Sequence, residues 1–197
     1  MPKLGMEPIR RAALVKATID EIGHAGSLDV TVAQIARRAG MSSALAHHYF
    51  GGKDQIFLAA MRHTLSLYGA EVRGALSMAR GPRARCEAII RAGFTSANFR
   101  REVVAAWLNF YVLAQSDDQA WRLLSVYQRR LHSNLVHSLR PLIGARAGEA
   151  AVRIAGLIDG LYLREALRRE APQGDAATRH VLTLLDQELK SADKEGK

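Results

Sequence analysis

Only one cysteine, Cys86, occurs in the 197 residues, so no internal disulfide braces the chain. Its helical neighbours Ile89 and Ile90 mark it as a small packing residue. No apolar run comes near the roughly 20 residues that a membrane span requires; the longest runs from Val103 to Leu108. The opening Met1-Pro2-Lys3-Leu4-Gly5 has no signal-peptide core, and the expected location is the cytoplasm. A Gly-rich phosphate loop, a nucleophile elbow and chelating metal-ligand spacing are all missing. The adjacent His47 and His48 point about 100° apart on a helix, so they do not chelate one ion as a pair at i and i+4 does. Strand-like alternation of useful length is also absent. An enzyme, a metal protein and a cofactor protein are therefore not expected.

What is present is charge of one sign and helical periodicity. Lysine and arginine number 28 against 19 acids, a net charge of +9 with a pI near 10.2. Such a balance favours a polyanionic partner. Residues 1 to 53 hold seven of the cations and four of the acids, too modest an excess to prove the point alone.

The stretch from Thr31 to Lys53 is more specific. Thr31 can cap a short helix on which Val32, Ile35, Ala36 and Ala39 share one face. Gly40 falls where a positive φ often ends a helix. Ser42 can cap a second helix that packs with Leu45, Ala46, Tyr49 and Phe50 and presents Ser43, Ala44, His47 and His48. This is the pattern of a helix-turn-helix, whose second helix enters the DNA major groove. The expected DNA-facing residues are Thr31, Ser42, Ser43, Ala44, His47, His48, Tyr49 and Lys53. Ser43, Ala44, His47 and His48 face bases. Thr31, Tyr49 and Lys53 lie nearer phosphates, with Lys53 at a helix start whose amides attract anions.

The same stretch resembles the DNA-binding signature of the TetR family, through Thr31, Ile35-Ala36, Ala39-Gly40, Met41, Ser42, Tyr49-Phe50 and Lys53. Two positions depart: the family commonly has Gly at Ala44 and Tyr at His47. Neither change breaks the helix, and both lie on the groove-facing side.

The remainder reads as helix as well. A first amphipathic helix runs from about Pro8 to Ile22 and stops at Gly23 and Gly26. A long helix spans about Lys53 to Met78, and Gly81-Pro82 breaks the chain. Five more helices follow: Pro82 to Asn98, Arg101 to Gln115, Asp117 to Arg140 before Pro141, Arg146 to Glu170, and one after Asp175. The expected fold is all-α, with about nine helices. Residues 1–52 form a three-helix DNA-binding domain and residues 53–197 a larger helical bundle for ligand binding and dimerisation.

An apolar bundle attached to a DNA reader suggests a ligand-gated switch; the alternative is that it only dimerises the reader. Trp107, Phe110 and Tyr111 share one face with Val103, Val104 and Ala114, and later helices add Trp121, Tyr127, Tyr162 and Asp159. Aromatic stripes are more often packing than pocket. Yet aromatics are only 6% of the chain, and rings grouped with one carboxylate suit a quaternary ammonium ligand through cation–π attraction. Asp159 has other possible uses, an arginine partner or a dimer interface. The candidate ligand residues are Trp107, Phe110, Tyr111, Tyr127, Asp159 and Tyr162.

Other stretches resemble choline-responsive members of the TetR family: Pro2 to Met6 with Ile9-Arg10-Arg11, Trp107-Leu108, Arg129-Arg130-Leu131, Ser133 to Val136 and Leu157 to Leu161. That resemblance implies a homodimeric repressor of glycine betaine synthesis genes, bound to pseudo-palindromic operator DNA, with choline as effector. A repressor of an efflux gene that senses lipophilic cations is the competing expectation. The dimer surface is expected on the last two helices, where Ala155, Gly156 and Gly160 permit close approach and Leu182, Leu185 and Leu189 form an apolar stripe.

Overall fold

The structure, a computed structural model, describes residues 5–195; Pro2 to Leu4 of the opening motif lie outside them. Among the described residues there are nine α-helices, two short 3-10 turns and no strand. The helices are α1 (Met6–Ala25), α2 (Val32–Arg38), α3 (Ser43–Phe50), α4 (Lys53–Met78), α5 (Pro82–Ala92), α6 (Arg101–Leu113), α7 (Asp118–Ile143), α8 (Ala147–Ala166) and α9 (Gly174–Glu195). None of them is long and apolar enough to cross a membrane.

Several boundaries follow from local chemistry. Asp117 caps α7, its carboxylate accepting the Ala120 amide at 2.7 Å. Gly81 adopts φ +88° and Pro82 opens α5. Three expectations need correction. Gly23 lies inside α1 rather than ending it, and the cap is Gly26 at φ +69°. Helix α5 stops at Ala92, and a separate 3-10 turn covers Ser96–Phe99. Pro141 does not end α7: it sits in the last turn, and the helix continues to Ile143, whose side chain is buried. A proline there removes one amide bond but leaves the upstream ladder intact.

The chain divides into two compact units, Met1–Leu67 with Arg100–Leu124, and Tyr68–Phe99 with Ser125–Lys197. The first unit buries Leu14, Ile22, Ile35, Ala46, Ile56, Met61, Ala106 and Phe110. Its closest approach lies between α1 and α6. A Cβ built on Gly23 would lie 2.4 Å from Cβ and 2.5 Å from Cα of Glu102. Alanine in a helix gains about 1 kcal/mol over glycine, but backbone cannot swing aside as a flexible side chain can. Overpacking of this kind costs about 1–3 kcal/mol, so the packing constraint wins and glycine is required.

The second unit is built on Ile89, Ile90, Leu131, Leu135, Leu139, Ile154, Ile158, Val181 and Leu185. Cys86 is buried among them, and burial pushes its thiol up to about 11, which keeps it protonated and inert. Helices α8 and α9 are tied by Glu188, nearly buried, which accepts from Arg153 Nε at 2.5 Å and Nη2 at 2.8 Å. Arg146 adds a contact at 3.4 Å.

The hydrogen bond from Arg153 holds the Glu188 carboxyl below its ordinary range, against the opposing effect of burial. A carboxylate depressed in the folded state stabilises above its unfolded pKa, and that contribution disappears as pH falls through the folded value. Glu188→Gln should therefore cost about 2 kcal/mol near neutrality. The loss should shrink in acid, where the wild-type residue is protonated as well. Thermal melts of both proteins from neutral to acid pH test this; a constant gap at every pH would refute the ion-pair account.

Candidate nucleic-acid interface and effector site

The candidate DNA-facing residues lie on two capped helices, at their caps, and at Lys53 at the start of α4. The Thr31 hydroxyl accepts the Gln34 amide at 3.2 Å, and the Gln34 side chain accepts the Thr31 amide at 2.7 Å, a complete capping box. Gly40 at φ +67° lets the chain reverse, and the Met41 amide then reaches the Ala36 carbonyl at 2.8 Å. The Ser42 hydroxyl caps α3 by accepting the Leu45 amide at 3.2 Å. Ala46 is the fully buried anchor of α3, while Ser43, Ala44, His47 and His48 are exposed. All four therefore share the outer face of the short helix, as its periodicity predicts.

Tyr49 and Phe50 are half-buried against α1. The Arg11 guanidinium lies 5.4 Å from the Tyr49 ring centre and 5.1 Å from that of Phe50. Arg10 donates to the Tyr49 hydroxyl at 3.5 Å. Tyr49 thus fixes the angle between α3 and α1, with only its edge left toward solvent. Arg38 is tied at 2.5 Å to Glu21, a carboxylate with little exposure. Lys53 is half-buried in the first turn of α4, beside Asp54.

The candidate ligand residues fall in both units. In the first, Trp107 packs edge-on to Phe110, with ring centres 6.0 Å apart, and lies 5.7 Å from the Tyr111 ring. Phe110 is fully buried. Trp121 is 59% exposed, so it is no part of an enclosed cluster.

In the second unit the Tyr127 hydroxyl donates to Asp159 Oδ1 at 3.1 Å. Tyr68, on α4, lies 5.8 Å from the Tyr127 ring. Burial, and next the Asp159 charge, hold the Tyr68 hydroxyl protonated well above the usual tyrosine range. Tyr162, one turn beyond Asp159, stacks on Phe99 at 5.3 Å and donates to the Asn98 carbonyl at 3.0 Å. Tyr68, Phe99 and Asn98 escape sequence reasoning: they come from elements remote in the chain, and none has a local pattern that sets it apart from core.

Asp159 itself is largely enclosed. Burial raises its carboxyl above the ordinary value, with the Tyr127 hydrogen bond opposing the rise. Among the described residues no lysine or arginine forms an ion pair with it. The arginine partner that sequence leaves open is thus not what the structure provides. The site is a half-buried carboxylate beside tyrosine rings, with one hydroxyl as its hydrogen-bond donor. Such a site suits a ligand that carries positive charge.

Comparisons with known proteins give the family of each region. Residues 14–60 match the family described as bacterial regulatory proteins, tetR family, and residues 82–190 match the BetI-type transcriptional repressor, C-terminal. The HTH-type transcriptional regulator BetI of Brucella suis biovar 1 is 54% identical over 178 residues, 90% of each chain. A transcriptional regulator of Pseudomonas aeruginosa PAO1 superposes with a TM-score of 0.83 at 25% identity, covering 98% of this chain and 96% of that one. A regulator from Saccharomonospora viridis, solved in complex with choline, has a TM-score of 0.79 at 21% identity, over 89% of this chain and 95% of that one. The chain belongs to the TetR family of bacterial regulatory proteins, with the C-terminal region of the BetI-type repressors, and is a DNA-binding transcriptional repressor rather than an enzyme.

Proposed function

We propose that this chain is a cytoplasmic, homodimeric repressor of glycine betaine synthesis from choline, with choline as its effector. Residues 1–52 read a pseudo-palindromic operator, and residues 53–197 bind the effector and dimerise. The observation that carries this reading is Asp159, an enclosed carboxylate beside Tyr127 and Tyr68 that lacks a cationic partner among the described residues. A quaternary ammonium ion supplies the missing charge, and it needs no strong hydrogen-bond acceptor in return. The choline complex of the Saccharomonospora viridis regulator supports the choice. A repressor sensing bulky lipophilic cations fits less well, because one carboxylate with close tyrosines favours a compact head group.

The dimer surface follows from α8. Its core face is Ala147, Ala150, Ala151, Ile154 and Ile158. About half a turn away lies a stripe of Val152, Gly156, Gly160 and Leu163, continued by Leu167 at the C-cap. Val152 is 61%, Leu163 41% and Leu167 62% exposed, and both glycines face open space. Small residues between apolar ones allow a second copy to approach closely. From α9, Leu182 and Leu189 stay half-buried, but Leu185 is fully buried in its own unit and leaves the expected stripe.

The lever is α4. One continuous helix carries Lys53 at its start and Tyr68 beside Tyr127. Choline must bind the DNA-incompetent conformation more tightly, since a ligand with equal affinity for both states shifts nothing.

Calorimetry should find that Asp159→Asn weakens choline by at least tenfold, on the order of 2 kcal/mol, with ligand-free operator affinity unchanged. Choline should also bind more weakly as pH falls, from a pH above the ordinary carboxylate range, because protonation removes the counter-charge from a carboxyl whose pKa is raised. Equal affinity for choline and its uncharged carbon isostere would rule out cation recognition.

Lys53→Ala should weaken all DNA sequences about equally and lower the salt slope by about one unit. An unaltered slope in binding titrations would remove Lys53 from the phosphate contacts.

Val152→Glu places a charge in the α8 stripe. Light scattering at micromolar concentration should then show monomer in place of dimer, with loss of operator binding. A wild-type monomer would overturn the homodimer outright.

A further inference from the structure

His47 is exposed on the outer face of α3, one turn beyond Ser43. One hydrogen bond biases which ring nitrogen carries hydrogen. His47 Nδ1 lies 3.2 Å from the Gly51 carbonyl oxygen. A carbonyl only accepts, so Nδ1 must donate. The same two residues are linked a second time, because the Gly51 amide donates to the His47 carbonyl at 2.7 Å. The backbone bond holds Gly51 in place, and the ring bond to its carbonyl favours the tautomer with hydrogen on Nδ1. In the neutral imidazole Nε2 then has a lone pair and no hydrogen, and it is the outer nitrogen of an exposed side chain.

Major-groove edges differ in what they offer such an atom. Guanine presents two acceptors and thymine an acceptor and a methyl group. Only cytosine, through its N4 amino group, and adenine, through N6, present a donor. We propose that His47 is a specificity-determining residue that accepts, through Nε2, a hydrogen bond from the exocyclic amino group of a cytosine or adenine in each operator half-site. The geometry assigns the role to the Gly51 carbonyl as much as to the ring: with Nδ1 unanchored, either tautomer would be available and the position would also tolerate acceptor bases. This rests on the reading that α3 lies in the major groove.

The test uses the full-length wild-type chain and selection of binding sites from random duplexes. One position in each half-site should be restricted to a single base pair in one orientation, whose cytosine or adenine carries the amino group that His47 reads. Replacing that base by an analogue lacking only the exocyclic amino group should weaken wild-type binding about five- to tenfold. His47→Ala should abolish the sensitivity to the analogue while preserving the rest of the selected sequence. His47→Lys, which only donates, should move the preference to guanine. Nitrogen NMR of the histidine-labelled free protein should show His47 protonated at Nδ1 and bare at Nε2. A His47-dependent position insensitive to loss of the exocyclic amino group from its cytosine or adenine, no such position, or the opposite tautomer would overturn the proposal. If Ser43→Ala, Ala44→Gly and His47→Ala all leave the selected sequence unaltered, it is the placement of α3 in the groove that fails.

Discussion

Burying a carboxylate without a cation is costly, because removal from water disfavours the charged form far more than one hydroxyl hydrogen bond restores. Asp159 is in that position, with Tyr127 as its donor and Tyr68 alongside. The candidate site of the second unit is arranged around this deficit. The tyrosine hydroxyls stay protonated, so one can donate to the carboxylate, and their rings present faces that attract a cation. By contrast Glu188, on the next helix, has a bidentate arginine and serves architecture alone. Two acids of similar chemistry thus sit in opposite settings, set by whether the fold supplies the positive partner.

The outline of the fold was legible because it depends on short-range signals. Thr31, Ser42, Asp117, Gly26 and Gly81 each act within one turn, and each stands at a helix end as its chemistry requires. Two misreadings, Gly23 and Leu185, depend on distant partners. Gly23 resembles a terminator until Glu102, almost 80 residues on, is seen against it. Leu185 resembles an interface residue until the core of its own unit claims it.

The candidate sites divide in the same way. On α3 the exposed set is a matter of periodicity, and one buried alanine fixes the phase of the whole helix. The candidate effector site instead draws on α4, α7, α8 and the turn before α6. Periodicity nominated Tyr127, Asp159 and Tyr162 here, together with Trp107, Phe110 and Tyr111 of the first unit. It had no means of finding Tyr68, which lies on a helix otherwise read as a connector, or the Asn98 carbonyl, whose backbone group leaves no trace in residue type.

The two caps of the helix-turn-helix have a thermodynamic consequence. Thr31 and Gln34 satisfy each other, and Ser42 satisfies the start of α3, within the protein itself. The reading helices therefore do not depend on DNA to complete their hydrogen bonds. Docking is closer to the meeting of two finished surfaces than to folding on a template. The heat-capacity change of operator binding then reflects the area covered at the groove, without the large additional term that ordering a segment contributes.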